Sequence, residues 1–139
     1  MDEAREEWRP LLFELLSPVV AECATLAQAA GAVNARLWTL WEPRIHFEAN
    51  QTRPGHPGAI APLAVIRARK ASCTGLSVLL VAALRAAGVP ARVVGTPCWR
   101  LPGCAHDPLA PGACGNHNWV EAWTGEGTRG GWQFMGAAE

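Results

Sequence analysis

Residues 69–97 read RKASCTGLSVLLVAALRAAGVPARVVGTP, and this stretch decides the fold. From position 74 to 87 it is apolar on nearly every side, which is typical of a central, buried helix. Gly88 supplies a C-terminal stop, and Pro90 prevents the helix from continuing. Cys73 stands directly before the apolar run, so the sequence puts a thiol at the N-terminus of this helix.

Three segments after this helix have the β-branched or alternating pattern of strands: Arg92–Thr96, His117–Trp123 and Trp132–Met135. The glycines in the turn TGEGTRG, between the second and third segments, suit a hairpin. Upstream of the helix, a short strand begins near Ile45 and leads into a loop, and Pro62–Arg69 fits a helical turn or two.

The N-terminal part is predicted to be helical. Acidic residues followed by a stripe of leucines predict an amphipathic helix over residues 2–16. Ser17 and Pro18 have the character of the N-cap and first residue of a second helix, which Gly31 can terminate. A third short helix fits residues 33–41, because their apolar side chains share one face.

Helices followed by antiparallel strands predict an α+β fold. We expect N-terminal helices and a buried central helix, with Cys73 at its N-terminus, packed on an antiparallel sheet. The 139 residues suit one domain, with a helical N-terminal part over 1–44 and a core over 45–139. Half of the residues are hydrophobic and 17% are charged, so a packed core is expected.

Composition argues against several classes of partner. Twelve basic and twelve acidic side chains give a formal charge of zero without a basic stripe, so nucleic acid is not expected. The longest apolar run, Leu76–Leu84, is far short of the roughly 20 residues that cross a bilayer. The N-terminus shows no signal peptide. We therefore predict a soluble chain without a membrane partner, cytoplasmic as given, with export open if a signal sequence was removed.

Cys73 has the surroundings of a nucleophile. Unpaired backbone N–H groups at a helix N-terminus favour the thiolate, which is the form that attacks carbonyls. Ser72 and Gly75 are small enough to let a substrate approach, and the Cys73 N–H would lie near a tetrahedral oxyanion. From these residues alone, a buried structural cysteine stays open as the alternative.

His117 is the histidine best placed to move a proton, since it opens a strand after a glycine-bearing loop. A strand end presents a side chain over a neighbouring helix terminus, so His117 and Cys73 could meet in one small fold. The alternation of the strand predicts two faces, one with His117, Trp119, Glu121 and Trp123 and the other with Asn118, Val120 and Ala122.

Three motifs together resemble the transglutaminase-like superfamily. They are CTGLSVLLVAALRAAGVPARVVG at residues 73–95, HNWVEAW at 117–123 and WQFMGAAE at 132–139. The most similar variant is a bacterial branch with N-Q-T upstream, as at residues 50–52, and G-A-A-E in the third motif. The resemblance covers roughly residues 51–139.

This resemblance implies a fold related to papain-like cysteine proteases. It makes Cys73 the nucleophile and His117 the general base and acid, with an acidic residue orienting the imidazole. Many family members carry Asp at the position of Gly136, so Glu139 is our candidate for the third role. The family normally continues beyond Glu139, which implies that the domain is truncated there.

Further roles are assigned to residues around this pair. Glu121 is the second choice as orienting acid, although we expect it to pair with a buried arginine such as Arg92, as in the family. Gln51 is our candidate for the oxyanion hole. Asn116 or Asn118 could hydrogen-bond the catalytic loop. The remaining candidates for the walls of the cleft are Trp119, Trp99 and Asn116, with Trp119 also explained as core.

The expected function is that of a cysteine-dependent amide or peptide bond hydrolase or acyltransferase that acts through a thioester acyl-enzyme. No cofactor is expected, and the partner is a peptide, a protein or a small amide. One alternative is a catalytically inactive binding or structural module with the same fold. Acyl transfer from coenzyme A is a weaker alternative, because nothing resembles a nucleotide site. The sequence leaves the oligomeric state open.

The remaining cysteines do not predict a metal site. Four possible ligands lie within one loop, but their spacings lack the C-x-x-C pattern of zinc sites: Cys98, Cys104, His106 and Cys114. A disulfide between Cys104 and Cys114 stays open, and unpaired thiols are favoured. The sequence has no cluster of acidic side chains that would predict a calcium site. Cys23 is predicted to be a core residue.

Overall fold

The computed structural model describes residues 7–48, 58–97, 116–125 and 131–137. Within them the fold is α+β, as predicted. In chain order the elements are α1 (Trp8–Val20), α2 (Leu26–Leu37), β1 (His46–Phe47), α3 (Pro62–Ala68), β2 (Lys70–Ala71), α4 (Cys73–Ala86), β3 (Ala91–Thr96), β4 (His117–Trp123) and β5 (Trp132–Met135). The division of the chain into 1–44 and 45–139 stays a prediction.

Helix α4 forms the centre of the core, which confirms the prediction from its apolar sequence. It contacts the three other helices as well as β2, β3 and β4. Burying a leucine side chain contributes roughly 2 kcal/mol, so the fully buried leucines of α4 fix its position: Leu76, Leu79, Leu80 and Leu84. Gly88 adopts φ +83°, a left-handed conformation that turns the chain out of the helix towards β3.

Strands β3, β4 and β5 form an antiparallel sheet in that order. The predicted alternation of β4 is confirmed, because Val120 and Ala122 are fully buried whereas Trp123 is exposed. At one end of the sheet, the Arg85 Nε of α4 donates to the Ala91 carbonyl at 3.0 Å. The start of β3 therefore lies beside the C-terminal end of α4. Because β4 is antiparallel to β3, the start of β4 lies at the opposite end of the sheet, near the N-terminal end of α4.

Helix α1 runs further than predicted. It continues through Ser17 and Pro18 to Val20, so the prediction that a second helix starts at Ser17 was wrong. Pro18 lies in the last turn, where its missing N–H costs about one helical hydrogen bond. The Ser17 hydroxyl donates to the Phe13 carbonyl at 2.6 Å. Full burial of Leu12 and Leu16 holds the helix against the core.

Helix α2 replaces the two shorter helices that were predicted on either side of Gly31. Thr25 is its N-cap, with the hydroxyl accepting from the Gln28 N–H at 3.2 Å. Gly31 lies inside the helix, whose C-terminal part covers the predicted helix over residues 33–41 only as far as Leu37. A glycine inside a helix costs only about 1 kcal/mol, which the burial of neighbouring apolar residues outweighs: Ala30, Val33 and Leu37.

Strands β1 and β2 lead the chain into α4. They pair in parallel, with His46 opposite Lys70 and Phe47 opposite Ala71. The Lys70 ammonium also lies 2.9 Å from the Glu48 carboxylate. In the part of the chain that the structure describes, no helix combines the length and the apolarity needed to cross a membrane.

Candidate active site

Cys73 is the first residue of α4, partly buried and not in a disulfide. Ser72 precedes it as the N-cap residue in an extended conformation, and the Ser72 side chain makes no capping hydrogen bond. The first N–H groups of a helix have no partner within it, so their partial positive charge is concentrated at the end where the sulfur lies. Cys73 therefore lies at the end of α4 that attracts anionic groups.

Gly75 allows the chain before α3 to pass close to the first turn of α4. A Cβ added at Gly75 would clash with the carbonyl oxygen of Ala59 and lie 2.7 Å from the Cβ of Ala71. The backbone around Ala59 and strand β2 therefore pack directly against the helix end that carries Cys73.

Replacing Gly75 by alanine should lower the free energy of unfolding by about 2 kcal/mol, because neither the Ala59 backbone nor the Ala71 Cβ can rotate away. Urea unfolding measures this change. Gly31→Ala is the matched control, since a Cβ at Gly31 meets nothing within 4 Å. It should raise the free energy of unfolding by up to about 1 kcal/mol. A similar rise in Gly75→Ala would contradict the close approach.

His117 is the first residue of β4 and is half-buried. Its ring stacks on that of Trp119, with ring centroids 6.2 Å apart and an interplanar angle of 25°. His117 is paired across the sheet with Thr96, the last residue of β3. His117 therefore lies at the end of the β3–β4 ladder, next to an aromatic side chain on the face predicted from the alternation.

A side-chain hydrogen bond joins the start of β4 to the first turn of α4. The Nδ2 of Asn118 donates to the Oγ1 of Thr74 at 2.6 Å. Because Thr74 follows Cys73 and Asn118 follows His117, the bond holds these two backbone positions at the same end of the fold. The sequence offered Asn116 or Asn118 as a hydrogen-bond partner of the catalytic loop, but it did not indicate Thr74 as the acceptor. A further signal was the polar Asn118 at a position whose alternation partners, Val120 and Ala122, are apolar.

Glu121 forms the predicted ion pair with Arg92, with donor–acceptor distances of 2.9 Å from Nε and 2.7 Å from Nη2. The Arg92 guanidinium also lies 4.1 Å from the centroid of the Trp132 ring. The expectation that this arginine is buried was wrong, because its side chain is 50% exposed on the edge strand β3. Glu121 lies four residues from His117, or about 13 Å along a strand, which argues against it as the orienting acid.

Gly136 follows the last strand at the same end of the fold. Met135 pairs with Val120, so continued alternation puts position 136 opposite Trp119, on the His117 face. The Nδ2 of Asn34 donates to the Gly136 carbonyl at 2.9 Å, and the Nε1 of Trp38 donates to the Oδ1 of Asn34 at 3.2 Å. Helix α2 thus fixes the chain after β5, at a position that supplies no carboxylate.

Several predicted site residues lie outside the described residues, and their roles stay predictions. They are Gln51, Trp99 and Glu139, together with the four residues considered as possible metal ligands: Cys98, Cys104, His106 and Cys114. Of the other cleft candidates, Trp119 is half-buried beside His117, and Asn116 is exposed immediately before β4. Among residues 7–48, 58–97, 116–125 and 131–137, no three His, Cys, Asp or Glu side chains form a group that could hold a metal ion.

The sequence matches the model of the transglutaminase-like superfamily over residues 18–137, which is most of the chain. No match was found among curated proteins.

Solved structures with a similar fold come from three bacteria. A candidate cysteine protease from Cytophaga hutchinsonii has a TM-score of 0.65 at 17% identity, over 99% of this chain and 40% of that one. The periplasmic domain of TgpA from Pseudomonas aeruginosa has a TM-score of 0.59 at 22% identity, over 97% and 45%. A candidate protease from Parabacteroides distasonis has a TM-score of 0.55 at 15% identity, over 96% and 24%. The chain thus spans less than half the length of each of these structures.

Proposed function

We propose that this chain, which belongs to the transglutaminase-like superfamily, is a cysteine-dependent amide hydrolase or acyltransferase that acts through a thioester. The observation that best supports this is the bond from Asn118 to Thr74, which ties the strand position after His117 to the helix position after Cys73. A thiol at a helix N-terminus and an imidazole at the adjoining strand end are the two groups that this chemistry needs.

In the proposed reaction, the Cys73 thiolate attacks the amide carbonyl and forms a carbon–sulfur bond. The tetrahedral oxyanion is stabilised by the Cys73 N–H, with Gln51 as the predicted second donor. Collapse breaks the carbon–nitrogen bond, and the His117 imidazolium gives its proton to the departing amine. Water or a second amine then attacks the thioester and gives a proton to His117, which releases the acyl group and restores the thiolate.

Glu139 is the proposed orienting acid of the imidazole. Two observations on other positions support this choice: Gly136 carries no side chain, and the Glu121 carboxylate is paired with Arg92. The proposed substrate is a peptide or a protein amide. This class follows from the family and agrees with the description of two of the similar structures as candidate proteases.

A catalytically inactive binding module is the second candidate function. It is favoured by Gly136, since many family members carry an aspartate at this position and the backbone there is fixed by Asn34. The two candidates differ in whether Cys73 becomes acylated.

Incubation with p-nitrophenyl acetate, followed by rapid acid quenching, distinguishes these candidates. The hydrolase or acyltransferase predicts one acetyl group per chain on the Cys73 peptide, measured by mass spectrometry. This group should be lost on further incubation in buffer alone, or after addition of an amine such as glycine methyl ester. The five cysteines of the chain make peptide mapping necessary. Acetylation of several cysteines at similar rates, without preference for Cys73, would support the inactive module.

A further inference from the structure

We propose that Asn118 is a positioning residue whose carboxamide holds the start of β4, and with it His117, against the helix end that carries Cys73. This inference rests on the proposed function, because it assumes that Cys73 and His117 react together. It extends that function by assigning a role to a residue next to the imidazole, which does not itself touch the reacting atoms.

The contact has the properties of a specific tether. Asn118 is partly buried on the face of β4 that packs on α4, where the next two residues of the same face, Val120 and Ala122, are fully buried apolar side chains. Its Nδ2 lies 2.6 Å from the Thr74 Oγ1, a short distance for an N–H···O bond. A partly desolvated amide whose partner is removed is left unpaired, and that is unfavourable.

Gly95 provides the space that this carboxamide occupies. It lies directly opposite Asn118 in the pairing of β3 with β4. A Cβ added at Gly95 would clash with the Oδ1 of Asn118. Glycine weakens a strand interior and often marks a close approach of another group. Three elements therefore contribute to one contact, which we call the Asn118 clasp: Thr74 from α4, Asn118 from β4 and Gly95 from β3.

The place of the clasp in the sheet explains why it would affect catalysis. His117 is the first residue of β4 and pairs with Thr96, the last residue of β3, so the backbone pairing of these two strands ends at His117. A strand end held only by its last pair can fray. Proton transfer requires hydrogen-bond reach, and a misplacement of about 1 Å can cost roughly 100-fold in rate. The clasp anchors the residue immediately after His117 to the residue immediately after Cys73.

The test compares three variants of the full chain with two reference variants, Thr25→Val and His117→Ala. Thr74→Val removes the acceptor at nearly constant volume, and Thr74→Ser retains the hydroxyl. Gly95→Ala forces the carboxamide away while leaving its chemistry intact. Thr25→Val is the matched control, because the Thr25 hydroxyl also accepts one hydrogen bond, at the N-terminus of α2. Thr25 lies nine residues, or about 13 Å of helix, from Asn34, the residue of α2 that donates to the Gly136 carbonyl. A change at Thr25 should therefore leave the candidate site in place.

Two readouts separate positioning from stability. With an anilide substrate, whose leaving amine needs the proton, Thr74→Val and Gly95→Ala should each lower kcat at least about 10-fold with KM changed less than about 2-fold, and Thr74→Ser should retain most of kcat. Thr25→Val should lower the free energy of unfolding about as much as Thr74→Val does, while its kcat stays unchanged. The second readout is the rate of iodoacetamide alkylation at the Cys73 peptide. In Thr74→Val and Gly95→Ala this rate should move towards that of His117→Ala.

The possible failures are distinguishable. If Cys73 alkylation depends on His117 but is unchanged in Thr74→Val and Gly95→Ala, the clasp has no positioning role and the proposed function stands. If kcat falls in Thr25→Val as much as in Thr74→Val, the effect is one of stability and the inference is overturned. If His117→Ala leaves both the alkylation rate and amide turnover unchanged, the proposed function fails and the clasp fails with it.

Discussion

Replacing Cys73 by alanine should abolish formation of the acyl-enzyme and lower turnover of p-nitrophenyl acetate by at least about 1000-fold. The sulfur is the atom that the proposed reaction bonds to the acyl carbon, so no neighbouring side chain can take its place. Fold stability should change by less than about 1 kcal/mol, because Cys73 is only partly buried and belongs to no disulfide. Burst kinetics and thermal unfolding of the same samples measure both effects.

Cys23→Ala is the matched control for this experiment. Cys23 is the other described free cysteine, partly buried near the end of α1, and its sulfur lies 3.9 Å from the Val19 carbonyl oxygen. This variant should keep wild-type turnover. If Cys73→Ala and Cys23→Ala retained similar activity, the nucleophile would have to be sought elsewhere and the inactive module would account better for the fold.

The parts of the fold that the sequence predicted correctly are those specified by many residues at once. The central helix was recognisable because its apolar residues extend over nearly four turns, and α4 begins one residue before the predicted start. The bounds of β4 and β5 were predicted as the structure has them, because alternation and turn glycines agreed. Burying a whole apolar face contributes more free energy to folding than the conformational preference of any single residue.

The N-terminal helices show where such reasoning fails. Pro18 and Gly31 were interpreted as helix boundaries, yet both lie inside helices. Each costs at most a few kcal/mol locally, and the leucines and alanines that pack on α4 outweigh this cost. A single proline or glycine is therefore a weak indication of a boundary when the apolar stripe continues past it.

Some features of the candidate site could be predicted from the sequence and others could not. Cys73 and His117 were selected from their positions at the ends of predicted elements and from the family resemblance. The bond from Asn118 to Thr74 joins residues 44 apart in sequence, and it depends on the register of β3 with β4 and on the rotation of α4. Neither quantity is encoded in a local pattern. The exposure of Arg92 was missed for a related reason, since the sequence does not show that β3 is an edge of this sheet.

Replacing His117 by alanine should lower the rate of amide cleavage by roughly 100- to 10,000-fold. The departing amine must take up a proton before the carbon–nitrogen bond breaks, and in the proposed mechanism the imidazolium supplies it. A p-nitrophenolate leaves without a proton, so acylation of Cys73 by the activated ester of the same acyl group, measured as the burst before deacylation, should lose much less. The ratio of the two rate losses, measured with a matched anilide and p-nitrophenyl ester, is the diagnostic quantity.

Added imidazole provides the control. In His117→Ala the space of the ring beside Trp119 becomes vacant, so free imidazole should restore part of the amide activity with a saturable dependence on its concentration. His46→Gln alters an exposed histidine on β1 and should retain the wild-type ratio of amide to ester rates. Equal losses for amide and ester in His117→Ala, without rescue by imidazole, would mean that His117 supports the packing of β4 and does not transfer the proton.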